Sequence, residues 1–194
     1  GVGSGKSAVL DDLEKRYGAY ILKADELANT LKKKGQEGYD PIVELLGKEI
    51  LTKNGEIDNQ KMAQRIFEDP KKLAKVNSIL HPLVREHILR DIEQKKEEKA
   101  TDLFVLEAAL LLEEGYDQIV DQMWYIYADE SVRAERLRQT RGYSDEKIKS
   151  IMAKQLSEEA FREGCDVTID NSGTLEHTRE QIDRAVNYIH SMSL

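Results

Sequence analysis

The sequence predicts an α/β fold: a mostly parallel sheet covered by helices on both faces. Three observations predict it. Four short apolar segments, 19–23 (AYILK), 103–106 (LFVL), 123–127 (MWYIY) and 167–169 (VTI), have the length and composition of buried strands. The stretches between them carry apolar residues at helical spacing, the alternation that builds a layered sheet. Third, the chain opens GVGSGKSAVL, where a glycine-rich loop runs straight into an amphipathic helix.

Composition sets the bounds. A chain of 194 residues fits one domain, with room for an inserted subdomain. Charged residues make up 34% and hydrophobic residues 40%, as expected of a globular protein with its own core. No stretch is long and apolar enough to span a membrane; the most apolar run, VLEAALLL, is interrupted by Glu107. The single cysteine, Cys165, excludes an internal disulfide framework and suits a reducing cytoplasm. A net charge of -8 argues against nucleic acid as a partner.

Taken in order, the elements begin with a helix. Ala8, Val9, Leu10, Leu13 and Tyr17 carry its apolar spacing, and Gly18 ends it. The strand 19–23 follows. From Glu26 to about Lys99 there are only helices and turns, which reads as an inserted helical subdomain. Within it, Asp69-Pro70 is an N-cap followed by proline at the first helical position. Pro82 should bend or break that helix at His81. The run EQKKEEK at 93–99 reads as a solvated helix end. A second all-helical stretch, 129–164, is rich in arginine. Ser144 and Ser157 each precede two acids and start helices in it, the second ending near Gly164. Thr174 caps the last helix, whose Ile182, Ala185, Val186 and Ile189 form a buried stripe.

The opening carries chemistry. Gly1 to Ser7 form most of a phosphate-binding loop, G-x-x-x-x-G-K-[ST]. Glycines let successive backbone N–H groups turn toward phosphate oxygens, and the following helix points its positive end at the same anion. In this pattern Lys6 reaches the β- and γ-phosphates, and Ser7 places its hydroxyl on Mg²⁺. The pattern calls for a glycine one position before Gly1 and a buried strand before that. The sequence as it stands is therefore expected to lack one β-strand and the first loop glycine.

Two further signals point to a reaction. KADELA, 23–28, lies at the end of the strand 19–23, where ligands bind in open α/β sheets. Asp25 would there face the same crevice as Lys6 and accept the proton of a hydroxyl attacking a γ-phosphoryl group. The alternative is that Asp25 only caps the helix that follows. The second signal is the series Arg133, Arg136, Arg138 and Arg141. These cannot all share one helix face. One or two on a lid would clamp phosphates; a salt-bridged surface role with Glu130 and Glu135 fits Arg133 better than Arg136 or Arg141.

In this order and spacing, the pieces resemble the dephospho-coenzyme A kinase family. GVGSGKS looks like its phosphate loop, and KADELA is similar to its Asp-Ala-Asp-x-x-Ala signature, with Asp25 on the second Asp. The segment 65–84, RIFEDPKKLAKVNSILHPLV, resembles the family's stretch ending in Asn-x-x-x-His-Pro. EAALLLEEGYD (107–117), RLRQTRGYSDEKI (136–148) and IDNSG (169–173) resemble its strand-end, lid and adenine-side motifs. Three positions depart from the pattern. Lys23 replaces the first signature Asp, Ala109 stands where the family usually has Pro, and Arg141 follows Arg136 by five residues rather than four.

The resemblance implies a P-loop NTPase three-layer fold. Its nucleotide-binding core would be 1–25, 101–128 and 165–194, its helical coenzyme A subdomain 26–100 and its lid 129–164. It implies phosphoryl transfer from ATP to the ribose 3′-hydroxyl of dephospho-coenzyme A. Asp25 would be the base, and Lys6 and Arg136 the groups on the moving phosphoryl. Gly1, Val2, Gly3, Ser4, Gly5, Lys6, Ser7, Arg141 and Asn171 would bind ATP, with Ser7 on Mg²⁺. His81 would be a structural histidine packing beside Pro82. A cytoplasmic monomer with small-molecule substrates only, without nucleic acid or membrane, completes the expectation. The alternatives are another small-metabolite P-loop kinase, acting on nucleosides or nucleoside monophosphates, and a non-catalytic ATP-binding protein. A switch GTPase is disfavoured, since no N-K-x-D motif occurs.

Overall fold

The computed structural model describes residues 2–192. The chain divides into two compact units, Gly1–Ala19 with Ala109–Leu194, and Tyr20–Ala108.

The second unit is built on a parallel pair of strands. β1 (Tyr20–Lys23) and β2 (Phe104–Glu107) pair from Tyr20↔Phe104 to Lys23↔Glu107. Each starts one residue later than the apolar pattern suggests. Ala19 donates its N–H back to the Leu13 carbonyl at a distance of 3.2 Å, and Leu103 donates its own to the Thr101 hydroxyl. Both amides thus belong to turns.

Between these strands the chain is helical, as the sequence predicts: α2 (Ala24–Leu31), α3 (Tyr39–Leu46), α4 (Asn59–Glu68) and α5 (Pro70–Glu98). A short 3-10 turn (Lys48–Ile50) and one isolated antiparallel bridge, Leu51↔Ile57, complete the segment. Ile42, Leu46, Ile50, Met62, Val76 and Leu80 form its apolar core. Asp69 caps α5 by accepting the Lys71 N–H, with Pro70 at the first helical position. Of the bend or break expected at His81, the break does not occur: α5 runs continuously through Pro82. Proline removes one hydrogen bond and crowds the preceding turn, at a cost of about 3 kcal/mol in a helix interior. Here Val76 and Leu80 before it, and Val84 and Ile88 after it, are all buried. Continuing the helix keeps all four on the stripe that packs against α2, α3 and α4, and that burial outweighs the local cost. His81 lies exposed on α5.

The first unit holds α1 (Lys6–Tyr17) and a second parallel pair, β3 (Trp124–Tyr127) with β4 (Val167–Asp170). Between those strands lie α6 (Glu130–Arg141), α7 (Asp145–Ala153) and α8 (Glu158–Gly164), and α9 (Leu175–Met192) follows β4. Caps fall where the sequence places them. Ser144 accepts from the Lys147 N–H, Ser157 from Ala160 and Thr174 from His177. Gly18 ends α1 with φ 61°, a left-handed value that favours glycine. Ile182, Ala185 and Val186 are buried on α9 as predicted, while Ile189 is half-buried.

α1 and α9 are held together by charge as well as by apolar contact. Asp12, 4% exposed, accepts from Arg16 on its own helix and from Arg179 of α9 at 2.9 Å. Arg16 also reaches Asp183 at 2.7 Å, and the Tyr17 hydroxyl donates to the same carboxylate. Burial by itself would raise the Asp12 pKa, but the two guanidiniums more than offset it and hold the carboxyl below its ordinary 3.8.

Candidate active site

The glycine loop is shaped by what surrounds it. Gly3 and Gly5 have φ of 81° and 78°, in the left-handed region. A Cβ at Gly3 would lie 2.9 Å from the Arg133 backbone oxygen, and one at Gly5 only 2.3 Å from Asn171 Nδ2. Both positions are therefore closed to side chains by conformation and by space. Gly1 lies outside the described residues.

Four consecutive loop carbonyls have donors. Arg133 Nε donates to the Val2 oxygen at 2.9 Å, and Arg136 Nη1 to Gly3 at 3.3 Å. Asn171 Nδ2 donates to Ser4 at 2.7 Å; the Gly5 oxygen receives the Ala8 N–H at 3.1 Å. In a trans peptide the C=O and the next N–H point in opposite directions. No described peptide is cis. Turning the carbonyls of residues 2–5 toward these donors turns the amides of Gly3, Ser4, Gly5 and Lys6 the other way. That produces a row of N–H groups of the kind that binds anions.

The start of α1 adds to it. Gly5 is its N-cap and supplies no side-chain cap, and the first turn carries no acidic residue. The positive end of the helix is thus not neutralised by the chain's own carboxylates. Lys6 is half-buried at this end, and Ser7 is exposed one residue later. Ser4 is 1% exposed, and its hydroxyl has no hydrogen-bond partner among the described residues.

Two elements bring the donors. Asn171 follows β4 directly, and its N–H extends the ladder by donating to the Tyr127 oxygen at 2.7 Å. α6 presents Arg133 and Arg136, three residues apart and so on one face. Arg136 Nη2 also donates to the Asn171 oxygen at 2.7 Å. Leu137, buried on the same side, packs against Gly3. The other two arginines go elsewhere. Arg138 is exposed and pairs with Glu135 and Asp145. Arg141 is exposed in the last turn, its guanidinium 5.9 Å from the Tyr143 ring centre.

Sequence reasoning singled out Arg136 and found a salt-bridged surface role more fitting for Arg133 than for Arg136 or Arg141. Arg133 instead holds the Val2 carbonyl and donates to Gln155 Oε1. The missed signal was its position: three before Arg136 and four before Leu137, it shares the only strongly buried face of α6. Thr178 was also missed. It is 1% exposed, and its hydroxyl donates to Asn171 Oδ1 at 2.8 Å.

In the second unit, Asp25 is exposed in the first turn of α2, directly after the carboxyl end of β1. It is not the cap of that helix. α2 starts at Ala24 with Lys23 as its N-cap residue, so the capping alternative does not hold. Lys23 pairs in register with Glu107 and reaches Glu26 at 3.8 Å.

Among the described residues no three His, Cys, Asp or Glu side chains converge to hold a metal ion. Ser7, exposed in the first turn of α1, offers one hydroxyl oxygen, a ligand type that magnesium accepts.

A glycine loop of this conformation, leading into an uncapped helix and overlain by an arginine helix, defines a P-loop NTPase-type phosphate site. Residues 1–177 match the family model described as dephospho-CoA kinase. A dephospho-CoA kinase from Enterococcus faecalis is 36% identical over 95% of this chain and 91% of its own. One from Carboxydothermus hydrogenoformans is 37% identical over 94% of this chain and 87% of its own. A crystal structure of a Thermus thermophilus protein superposes with a TM-score of 0.81, at 26% identity, over 96% of this chain and 92% of its own. The dephospho-CoA kinase from Campylobacter jejuni, at 20% identity and TM-score 0.70, shares the fold over 99% of this chain and 94% of its own. The chain belongs to the dephospho-CoA kinase family.

Proposed function

We propose that the chain transfers the γ-phosphoryl group of ATP to the ribose 3′-hydroxyl of dephospho-coenzyme A, giving coenzyme A and ADP. Family membership over most of the chain carries this reading. The loop geometry supports its nucleotide half. The amides of residues 3–6 and the start of α1 would hold the phosphates, with Lys6 neutralising the charge that spreads over the moving group. Arg136 would be the second group on the moving phosphoryl; here its guanidinium donates to the Gly3 and Asn171 oxygens, on the carbonyl side of the loop, and would have to leave them to reach it. Magnesium, when bound with ATP, screens phosphate charge; Ser7 is the side chain that would touch it.

Asp25 would orient the attacking hydroxyl and take its proton. Its support is chemical and positional: an exposed carboxylate at the carboxyl end of a parallel strand. The helical segment 26–100 would receive the coenzyme portion, and 129–164 would act as the lid. Arg141, on that segment's outer face, and Asn171, whose amide is engaged by the loop, would be secondary contributors to ATP binding. No described helix is long and apolar enough to cross a membrane. The cytoplasm and a monomeric state remain part of the proposal. The test is Lys6→Ala: dephospho-coenzyme A-dependent ADP release should disappear in the variant, and its survival would remove the loop from the mechanism.

A further inference from the structure

Asn171 has its orientation fixed by its surroundings. Its Nδ2 faces two carbonyl oxygens, Ser4 at 2.7 Å and Gly5 at 3.5 Å. Only the nitrogen of an amide can donate, so the group at that end must be NH₂. Its Oδ1 then faces Thr178 Oγ1 at 2.8 Å, and Thr178 must donate to it. The same hydroxyl also lies 3.2 Å from the Thr174 oxygen, the usual partner of a helical threonine; the shorter contact is the one to Asn171. Both residues are buried, at 7% and 1% exposure, so water does not substitute for either.

The chain of contacts therefore runs from α9 through Thr178 to Asn171 and on to the loop. Its last link bears on Gly5 as well, since Nδ2 occupies the space a Cβ would need there. Flipping the amide would place Oδ1 against two carbonyl oxygens and push the loop away. We propose that Thr178 is a positioning residue for nucleotide binding. By locking the Asn171 amide, it holds the Ser4–Gly5 peptide with its N–H turned toward the phosphate side. Thr178 touches no substrate itself. The inference rests on the reading of the loop as the ATP site.

The test compares Thr178→Val, which keeps the shape and removes the donor, with Thr178→Ser, which keeps the donor. ATP affinity is read by calorimetry, and KM for ATP and for dephospho-coenzyme A by steady-state kinetics. KM and Kd do not depend on the fraction of active protein, so a modest loss of folding does not mimic the effect. Thr178→Val should weaken ATP binding about tenfold, the scale of one lost buried hydrogen bond, with KM for the acceptor within about twofold of wild type. Thr178→Ser should restore ATP affinity to within about twofold. If the valine variant does not fold, Thr178→Ala takes its place, since it too removes the donor to Asn171 Oδ1 and should give the same ATP-selective loss. Wild-type ATP affinity in the variant tested overturns the inference. So do an equal weakening for both substrates and a serine variant as weak as the valine one. Wild-type protein that binds no ATP would strike the underlying reading instead, and the positioning role would fall with it.

Discussion

Asn171 Nδ2 lies 2.7 Å from the carbonyl oxygen of Ser4, joining the end of β4 to the glycine loop across 167 residues of sequence. With Arg133 and Arg136 it takes the outward-facing oxygens of the loop, and the amides are left to face a ligand. Most of the predictions concern this arrangement or the elements that hold it.

Gly5→Ala should be costly. The residue has φ 78°, and the new Cβ would lie 2.3 Å from Asn171 Nδ2. Left-handed strain alone costs an alanine about 1–2 kcal/mol. Chemical denaturation should show at least that loss, and ATP affinity should fall with it. A variant as stable as wild type would mean that the loop does not hold this conformation.

Arg133→Ala and Arg138→Ala should behave differently, although both residues are arginines on α6. Arg138 makes exposed, solvent-screened ion pairs, and its removal should change neither stability nor turnover measurably. Arg133 holds a loop carbonyl, and its loss should raise KM for ATP several-fold. Equal kinetic effects from the two would contradict the division of α6 into a loop face and a solvent face.

The Asp12 cluster predicts a pH dependence. Its folded-state pKa lies below the ordinary 3.8, chiefly because the hydrogen bonds of Arg16 and Arg179 outweigh the opposing effect of burial. The unfolded chain therefore binds the proton more readily than the folded one as pH drops. The stabilisation is complete well above pH 3.8 and is lost as pH falls through the lower folded value. Asp12→Asn should be less stable than wild type at pH 7, on the order of 2 kcal/mol for lost charged hydrogen bonds. The gap should narrow below about pH 4. Thermal melts across pH 3 to 7 would show it; a constant gap would mean that the ionised carboxylate is not what holds α1 to α9.

Asp25→Asn should lower turnover by roughly 10²-fold or more while leaving ATP affinity unchanged, the signature of a lost base rather than a lost binding group. Unchanged turnover would remove Asp25 from the base role.

Much of this was legible in the sequence because it is local. Asp69, Ser144, Ser157 and Thr174 announce their helices within three residues, and Gly18 ends α1 where the apolar spacing stops. The glycine loop is equally local. What was not legible depends on partners far away in sequence. Nothing near Arg133 shows that its acceptor is Val2, 131 positions earlier, and nothing near Thr178 marks it as more than a buried helical residue. Pro82 illustrates the converse: local chemistry argues for a break, and packing of the residues on either side of it decides against one.

The most direct test of the central claim is acceptor-dependent ADP release by the protein with Mg-ATP. Dephospho-coenzyme A is compared with a panel of nucleosides and nucleoside monophosphates. The account predicts release only with dephospho-coenzyme A, with coenzyme A as the product. Release with a panel member alone, or silence with every acceptor despite measurable ATP binding, would contradict it.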